Sequence, residues 1–479
     1  MTKRILVIVT LAALAGALAV FMLIFSREDK PAAAANFPSP EEPVYVPSAG
    51  ENREISRISV ENENGGYTIS DAPEEGFFIE GFEDLPVNTN TLSFTVNRLS
   101  RLRSREVVEP AADPAPFGLA DPAARVTLSF TDGTTGVLYV GSLAPDGINH
   151  YVKSGDSPAI HLVSSTDLGD CFSRALDFVD KAITPPNESP EAPVFDTITL
   201  GGLVRGKEPV SIVYRPVPED DSAASGFLRN PYRIIRPLEA GVSLDRGPPI
   251  LQALFGLQAD RVAARLGGGL SPADFGLAEP YSTVTVSGTP GGGLGGFSLR
   301  ASAPNPEGLV YIQPEGSSLV YEVDESKLSW LGVTFFDLMD RMVRLPFIDS
   351  VASIELRGEK PLASFTLSGE GDDLVVKAGD AVIDTANFRP FYQTLIAAIY
   401  DEYCDIPAPE EGVPPLLEIV YRYRDGRASD TVSFYPASSR RVLTSLNKGR
   451  PFYTYRAYTD KVMADLERLL AGEKVLSYL

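Results

Sequence analysis

Two glycine-rich motifs are the first residues of this chain whose spacing could bind a nucleotide. Residues 291–296 fit the G-x-G-x-x-G pattern, but a dinucleotide site needs that pattern between a strand and a helix. Here it lies between two segments with strand character. Residues 201–207 fit G-x-x-x-x-G-K, yet Glu208 stands where the magnesium-binding Ser or Thr belongs. Both motifs are interpreted as turns, and no cofactor is predicted.

The residue types that usually carry catalysis or bind metals are scarce. The two histidines, His150 and His161, are too few for a typical transition-metal site. Cys171 and Cys404 lie 233 positions apart, which excludes a disulfide framework and a cysteine zinc site. They are interpreted as buried thiols, although a bridge between them stays possible. The chain has no G-x-S-x-G nucleophile elbow. We predict no catalytic and no metal-binding residues.

A run of basic residues near the C-terminus stands out from the acidic background. Nine basic residues oppose three acidic ones between positions 422 and 461, a local charge of +6. The nine, called the basic run below, are Arg422, Arg424, Arg427, Arg440, Arg441, Lys448, Arg450, Arg456 and Lys461. Strand alternation places Arg422 and Arg424 on one face of their strand and Tyr421 and Tyr423 on the other face. The first seven form a candidate docking face for an acidic partner or an anionic polymer. The alternative is a solvated face, or one neutralised by acidic neighbours.

An internal repeat indicates which elements position these residues. The sequence FGLADP at 117–122 returns as FGLAEP at 275–280, and internal repetition is read before any single motif. Each copy leads into an alternating apolar strand and then into hairpins, the first turning at residues 132–133. His150 and His161 have no counterpart in the second copy. The repeated element is therefore interpreted as core packing rather than as a catalytic signature.

The repeat predicts an α+β fold, with an N-terminal transmembrane helix followed by three tandem β-rich modules. The modules are expected at residues 55–181, 195–343 and 350–474, the last one diverged. Each should contain strands, an amphipathic helix, two hairpins and a closing helix. Asn88 or Thr89 is predicted to cap the first amphipathic helix. The closing helix of the first module should carry Leu168, Phe172 and Leu176, and that of the second should cover residues 328–331.

The N-terminus is interpreted as a membrane anchor. The 21 residues from Ile5 to Phe25 carry no charge and are long enough to span a bilayer. Lys3 and Arg4 precede them, so the N-terminus (residues 1–4) should be cytoplasmic and the modules outside. A cleaved signal peptide is the alternative, disfavoured by the length of the apolar stretch. Residues 26–54 are proline-rich and are predicted to form a stiff spacer.

The net charge of the chain limits the class of partner that it can bind. It is −22 for the chain, and because the first 30 residues carry four basic and two acidic side chains, −24 remains for the rest. Such an acidic ectodomain argues against nucleic acid as a partner.

The anchor, the FGLADP element, the following hairpin and the segment Ile160-His161-Leu162-Val163 together resemble the bacterial domain-of-unknown-function family 4340. The resemblance covers residues 85–180 well and 240–335 less well. It implies a bacterial single-pass envelope protein of the kind encoded beside ABC-type transporter subunits of the gliding-motility-like class. It implies no catalytic residues.

We therefore expect a non-enzymatic accessory protein in the bacterial cytoplasmic membrane that binds a protein partner, in the first instance a transporter complex. The first alternative is a binding module for anionic envelope glycopolymers that uses the basic run. The second is an envelope hydrolase that uses two carboxylates.

Overall fold

The computed structural model describes residues 45–46, 54–72, 76–108, 113–187, 193–216, 230–288, 295–404, 406 and 413–476. The predicted anchor and nearly all of the predicted spacer lie outside these residues, as do residues 291–294 of the G-x-G-x-x-G motif. Within the described residues, no helix has the length and apolar character needed to cross a membrane. The chain divides after Asp180 into two compact units.

The first unit contains an eight-stranded antiparallel sheet. Its strands are β1 Ile55–Asn62, β2 Tyr67–Ala72, β3 Gly76–Ile79, β4 Glu106–Val108, β5 Ala124–Phe130, β6 Thr135–Leu143, β7 Asn149–Ser154 and β8 Ile160–Ser164. Their order in space is β3-β2-β1-β5-β6-β7-β8-β4. Helix α1 (Thr89–Ser100) connects β3 to β4 and buries Leu92, Val96 and Leu99. Asn88 caps it, as predicted, by accepting a hydrogen bond from the Thr91 N–H at 3.1 Å.

The second unit contains two further antiparallel sheets. The second sheet is formed by β9 Thr197–Gly201, β10 Val210–Tyr214, β11 Tyr232–Arg236, β12 Ala240–Gly241, β13 Arg261–Arg265, β14 Ser282–Ser287, β15 Phe297–Ala301, β16 Leu309–Pro314 and β17 Leu319–Asp324, with helices α2 Gly247–Gln252 and α3 Phe335–Leu338. The third sheet is formed by β18 Val351–Arg357, β19 Pro361–Ser368, β20 Val375–Ala378, β21 Ala381–Ile383, β22 Leu417–Tyr423, β23 Asp430–Pro436, β24 Arg441–Leu446 and β25 Phe452–Tyr455, with helices α4 Thr385–Ile396 and α5 Arg456–Leu470.

Short 3-10 helices complete the described secondary structure. They are Ala115–Phe117, Gly169–Phe172, Ala175–Phe178, Leu203–Arg205, Pro272–Phe275, Glu325–Lys327, Ile348–Ser350 and Gly371–Asp373. The protein is thus β-rich, with three sheets and few helices, as the α+β prediction requires.

The three sheets repeat one topology. In each, a meander of four strands pairs with a group of earlier strands, and a helix follows that group in the chain. The last meander strand pairs with β4 in the first sheet and with β13 in the second. In the third sheet this place is taken by a bridge between Glu402 and Tyr453. The repeated β-rich module inferred from the sequence is confirmed.

The FGLADP element packs alike in both copies. The Phe117 ring meets the Tyr151 ring edge-on at 4.9 Å, and Phe275 meets Tyr311 in the same way at 5.2 Å. Gly118 has φ +66°, and a Cβ there would lie 2.6 Å from the Ser142 nitrogen. A left-handed, tightly packed position of this kind accepts only glycine without strain. The geometry supports the interpretation of this element as core packing.

The predicted closing helices of the first two modules were wrong, whereas the one expected at the end of the third module is present as α5. The first is replaced by the 3-10 helices Gly169–Phe172 and Ala175–Phe178, and residues 328–331 contain no helix. The reason is that side chains from the sheet take the carbonyls that a continuous helix would use. Asn62 Nδ2 donates to the carbonyls of both Cys171 and Ser173 at 2.9 Å.

Candidate functional site

The segment that resembled a phosphate-binding loop delivers an arginine to the interior of the second sheet. Gly202 and Gly206 adopt φ +99° and +55°, and a Cβ on Gly202 would lie 2.5 Å from the Tyr281 carbonyl oxygen. The short turn between the two glycines directs the Arg205 side chain inward, and Arg205 is only 7 % exposed. The glycines therefore serve a buried side chain rather than a nucleotide.

Arg205 binds residues 328–334, called the closing segment of the second sheet below. Its Nε donates to the Val333 carbonyl at 2.6 Å, and Nη2 donates to the Trp330 carbonyl at 2.7 Å. Nη1 donates to the Gly201 carbonyl at 2.7 Å and to Ser282 Oγ at 2.8 Å. Among the described residues it has no carboxylate partner. Burial lowers the pKa of Arg205 to about 10, so the guanidinium stays charged at neutral pH.

Glu208, three residues later, helps to join the second and third sheets inside the second unit. Its carboxylate accepts hydrogen bonds from Tyr403 Oη at 2.8 Å and from Arg450 Nη1 at 3.2 Å. The Arg450 guanidinium lies over the Tyr403 ring at 4.4 Å. The Tyr403 and Arg450 hydrogen bonds hold the pKa of Glu208 below its usual range, because both favour the ionised carboxylate.

Aromatic packing completes this joint. The Phe452 ring stacks on Phe335 at 6.3 Å and on Phe336 at 6.1 Å, and it contacts Tyr400 at 4.6 Å. Phe335, Phe452 and Tyr400 are all buried. Because aromatic rings dominate packing energies at interfaces, we infer that the second and third sheets are held firmly together.

A cleft of about 410 Å³ lies next to the joint, between the second and third sheets. One wall is the strand-like linker between them: Asp340 N–H donates to the Gly241 carbonyl at 2.8 Å, and Val343 N–H donates to Ala398 at 3.0 Å. The apolar lining is Leu238, Val242, Leu244, Phe335, Met339, Met342, Val343, Leu345, Tyr400, Leu446 and Phe452. The cleft is therefore bounded by backbone that is hydrogen-bonded to both sheets.

The far wall of the cleft is fixed by a polar network. Arg344 Nε lies 2.6 Å from an Asp430 carboxylate oxygen, which also accepts from Tyr423 Oη at 2.5 Å. Asn447 Nδ2 donates to the other oxygen at 2.8 Å. Burial works to raise the pKa of Asp430, but these hydrogen bonds outweigh it and keep that pKa below its ordinary value. The network orders the hairpin that contributes Leu446 to the lining.

The cleft carries charges of both signs. Arg233, Glu239 and Asp340 line it, and none of them has an ion-pair partner within the described residues. Asp340 Oδ1 accepts the Met342 N–H at 3.0 Å and so helps to shape the linker. The apolar lining with scattered charges is suited to binding. The sequence did not point to it, since the lining residues extend from Asn230 to Phe452.

The predicted basic face is neutralised to a large extent by acidic neighbours. Arg422 pairs with Glu355 and Arg441 pairs with Glu402. The remaining pairs are Arg424 with Glu370, Arg427 with Asp425, Arg450 with Glu208, Arg456 with Asp460, and Lys461 with Asp465. As predicted, Arg422 is exposed while Tyr421 and Tyr423 are buried. The Arg422 and Arg357 contacts lower the pKa of Glu355.

Arg440 and Lys448 are the members of the basic run without a carboxylate partner among the described residues. They flank the two ends of β24, eight positions apart. The six residues of β24 lie between them, which at about 3.3 Å per residue amounts to roughly 20 Å of strand. Two isolated cations at that distance do not form a continuous basic surface.

The histidines and cysteines are not among the residues that line the cleft. His161 is buried, its Nδ1 lies 3.1 Å from Ser104 Oγ, and burial lowers its pKa. Cys171 and Cys404 are buried and unpaired, as the sequence favoured, and burial raises the pKa of Cys171 to about 12. In the part of the chain that the structure describes, no group of three or more His, Cys, Asp or Glu side chains could hold a metal ion.

Comparison with known proteins identifies the family. A family model described as a domain of unknown function (DUF4340) matches residues 79–220 and 248–411. The first match begins at the last residue of β3, and the second begins within α2. No curated protein and no solved structure matches this chain. Since the matched residues make up more than half of the sequence, the chain belongs to the DUF4340 family.

Proposed function

We propose that this protein is a non-enzymatic accessory protein of the bacterial cytoplasmic membrane, anchored by residues 5–25, whose extracytoplasmic modules bind a protein partner. The proposed partner is an ABC-type transporter complex of the gliding-motility-like kind. The anchor and its orientation rest on the uncharged N-terminal stretch and the preceding Lys3 and Arg4. The class of partner rests on the family.

The observation that carries the binding proposal is the cleft between the second and third sheets. Its rim exposes Leu244 (49 % exposed) and Met342 (37 %) beside charged side chains. Concave apolar surface rimmed by polar groups is typical of protein interaction sites. Its walls are fixed by the joint and by the linker, so binding would cost little ordering of the protein.

The test is affinity purification after gentle membrane solubilisation, with a cleft variant and a matched control. Leu244→Glu places a charge on the cleft rim, and Leu203→Glu places one on an exposed leucine (63 %) that does not line the cleft. We expect transporter subunits to copurify with the wild type and with Leu203→Glu, and to fall at least tenfold with Leu244→Glu. Recovery of the protein alone, or equal recovery from both variants, would contradict the proposal.

Topology is tested separately. Protease added to intact protoplasts should cut within residues 26–54 and release the modules. Full protection of the modules would show that the proposed orientation is wrong.

The glycopolymer alternative has less support than the cleft, because seven of the nine basic side chains are within ion-pair distance of carboxylates. It would depend on the separated Arg440 and Lys448. The hydrolase alternative would need Glu239 and Asp340, the two acids of the cleft, to act together.

A further inference from the structure

A second group of arginines lies in the first unit, where α1 ends and the chain runs on to β4. Residues 85–105 contain four arginines and no acidic residue, although the net charge of the ectodomain is −24. The four, called the arginine strip below, are Arg98, Arg101, Arg103 and Arg105. The strip is therefore a place where the local charge is opposite to that of the protein as a whole.

Most of the strip is exposed because buried residues alternate with it along an extended segment. Leu102 and Ser104 are only 2 % and 6 % exposed. The Leu102 carbonyl accepts the Val46 N–H at 3.0 Å, and the Arg105 N–H donates to the Leu162 carbonyl at 2.7 Å. These contacts fix the backbone of the segment. The side chains left on the outside are those of Arg101, Arg103 and Arg105.

The charge of the strip is only partly neutralised by the protein itself. Arg98 lies 3.7 Å from Asp170 and donates to the Thr166 carbonyl. The other three members have no carboxylate within ion-pair distance among the described residues, although Glu106 follows directly in the sequence. Four positive charges less the two of Asp170 and Glu106 leave the strip with +2.

Exposed aromatic side chains lie on both sides of the strip. Phe94 is 68 % exposed, more than any other aromatic side chain in the part of the chain that the structure describes. It lies four residues before Arg98 on α1, and residues with this spacing share a helix face. Tyr45 is 40 % exposed and pairs with Arg103 in an antiparallel bridge. Basic residues beside exposed aromatic rings are typical of surfaces that contact the headgroup region of a bilayer.

The strip also lies where the chain arrives from the proposed anchor. Tyr45 follows Phe25, the end of the anchor, by 20 positions. Even as an extended chain at about 3.1 Å per residue, these positions span only roughly 60 Å. The tether therefore keeps this edge of the first unit within reach of the bilayer. Because the contact forms within one tethered chain, an attraction too weak to hold a free protein is sufficient.

We propose that the arginine strip and Phe94 hold the first unit against the anionic headgroups of the bilayer that contains the anchor. This inference rests on the anchor in the proposed function, and it adds anionic lipid as a ligand. Each arginine near an anionic surface adds an attraction that salt screens. Since the same surface repels the acidic remainder of the ectodomain, the strip determines which edge of the first unit faces the membrane.

The experiment places a fluorescent reporter beside Phe94 in the full chain, reconstituted into vesicles. Asn90→Cys carries the fluorophore nitrobenzoxadiazole, because Asn90 is exposed one helical turn before Phe94. The native cysteines, Cys171 and Cys404, are buried and should not react. The vesicles contain phosphatidylcholine alone or mixed with phosphatidylglycerol, and both kinds contain a quencher-labelled lipid.

Two variants of the reporter protein test the contact. Arg103→Glu reverses one charge of the strip, and its control is Arg125→Glu, an exposed arginine on β5 without a carboxylate partner among the described residues. Phe94→Ser removes the exposed ring. All three positions are exposed, so the variants should fold, and thermal unfolding followed by circular dichroism checks this.

We expect strong quenching in the phosphatidylglycerol vesicles, reduced about fivefold or more by Arg103→Glu or by high salt and unchanged by Arg125→Glu. Phe94→Ser should reduce it as well, and phosphatidylcholine alone should give little. Equal quenching in both kinds of vesicle would overturn the proposal. Quenching that appears only after Glu41→Gln and Glu42→Gln would also overturn it, because acids of this chain would then neutralise the strip.

Two further outcomes separate this proposal from the proposed function. Release of the chain from the vesicles by alkaline carbonate would refute the anchor and the lipid contact together. A chain that is retained but not quenched would refute the lipid contact alone. If Arg103→Glu then also abolished copurification of the transporter, the strip would be a protein-binding surface, and the proposal of a lipid ligand would be wrong.

Discussion

Replacing Arg205 should strongly destabilise the second sheet. The guanidinium makes four hydrogen bonds of 2.6–2.8 Å, to three carbonyls and a hydroxyl, and is 7 % exposed. Three hydrogen bonds from a charged donor to carbonyls contribute about 1.5–3 kcal/mol each. Removing the charge recovers several kcal/mol of its desolvation cost. The net loss for Arg205→Met should be on the order of 3–5 kcal/mol.

The assay is urea unfolding followed by tryptophan fluorescence. Trp330 is the sole tryptophan, is fully buried, and offers its own carbonyl to Arg205. Its emission therefore reports on the region that the substitution affects, even if the two units unfold separately. With a urea m-value of about 3 kcal/mol/M, the midpoint should fall by roughly 1–1.7 M.

The control is Arg300→Met, which removes an exposed arginine from β15 and should shift the midpoint by less than about 0.2 M. Arg205→Lys keeps the charge but loses the planar fork, so its midpoint should lie between those of the wild type and Arg205→Met. Equal midpoints for Arg205→Met and Arg300→Met would refute the reasoning, because the closing segment would then hold without the guanidinium.

Two further predictions concern the joint and the basic run. Glu208→Gln should lower the Trp330 unfolding midpoint at pH 7 by the equivalent of about 1 kcal/mol, since the pair is partly exposed. Because the pKa of Glu208 is lowered in the folded state, its contribution is present above the unfolded value of 4.5 and disappears as the pH falls through the folded value. The difference between wild type and variant should therefore vanish in acid, and a difference independent of pH would contradict the ion pair. The glycopolymer alternative is tested by replacing both Arg440 and Lys448 with Ala. Retention of the protein on purified cell wall should then change by no more than about twofold. A salt-sensitive loss of retention would instead support polymer binding.

The repeat, the hairpins and the first helix cap could be predicted because their causes are local. An Asp-Gly pair between two alternating strands specifies a hairpin, and the turns at residues 132–133 and 425–426 both join paired strands. Asn88 caps α1 through a bond to an N–H three residues away. In each case, neighbouring residues in the sequence contain the physical reason for the structure.

The closing segments and the candidate site could not be predicted, because their causes lie far apart in the sequence. Asn62 reaches carbonyls 109 and 111 positions away, and Arg422 finds its carboxylate 67 positions away. A count of charges in the run near the C-terminus therefore overstated the free positive charge. Gly202 and Gly206, which flank Arg205, were a usable signal in the sequence. They indicate a turn that buries the arginine between them, not a nucleotide-binding motif.

Equivalent carbonyls in the first two sheets are bound by different side chains. The carbonyls that Asn62 takes in the first sheet, of Cys171 and Ser173, correspond to those of Leu331 and Val333 in the second, which Arg205 takes. Different side chains thus serve one task, which marks the task as structural. The third sheet has no such closing segment, because its chain continues from β25 directly into α5.

The helix of the third sheet also differs in what lies against it. Thr394 Oγ1 of α4 donates to Asp465 of α5 at 2.9 Å, so one face of α4 is covered by the C-terminal helix. Tyr392 Oη, also on α4, donates to the Pro346 carbonyl at 2.7 Å, so the same helix holds the chain just beyond the linker that lines the cleft. Because α4 is fixed both by α5 and by this bond, we expect the side of the cleft next to the third sheet to be preformed, and a partner that binds there would order little of the protein.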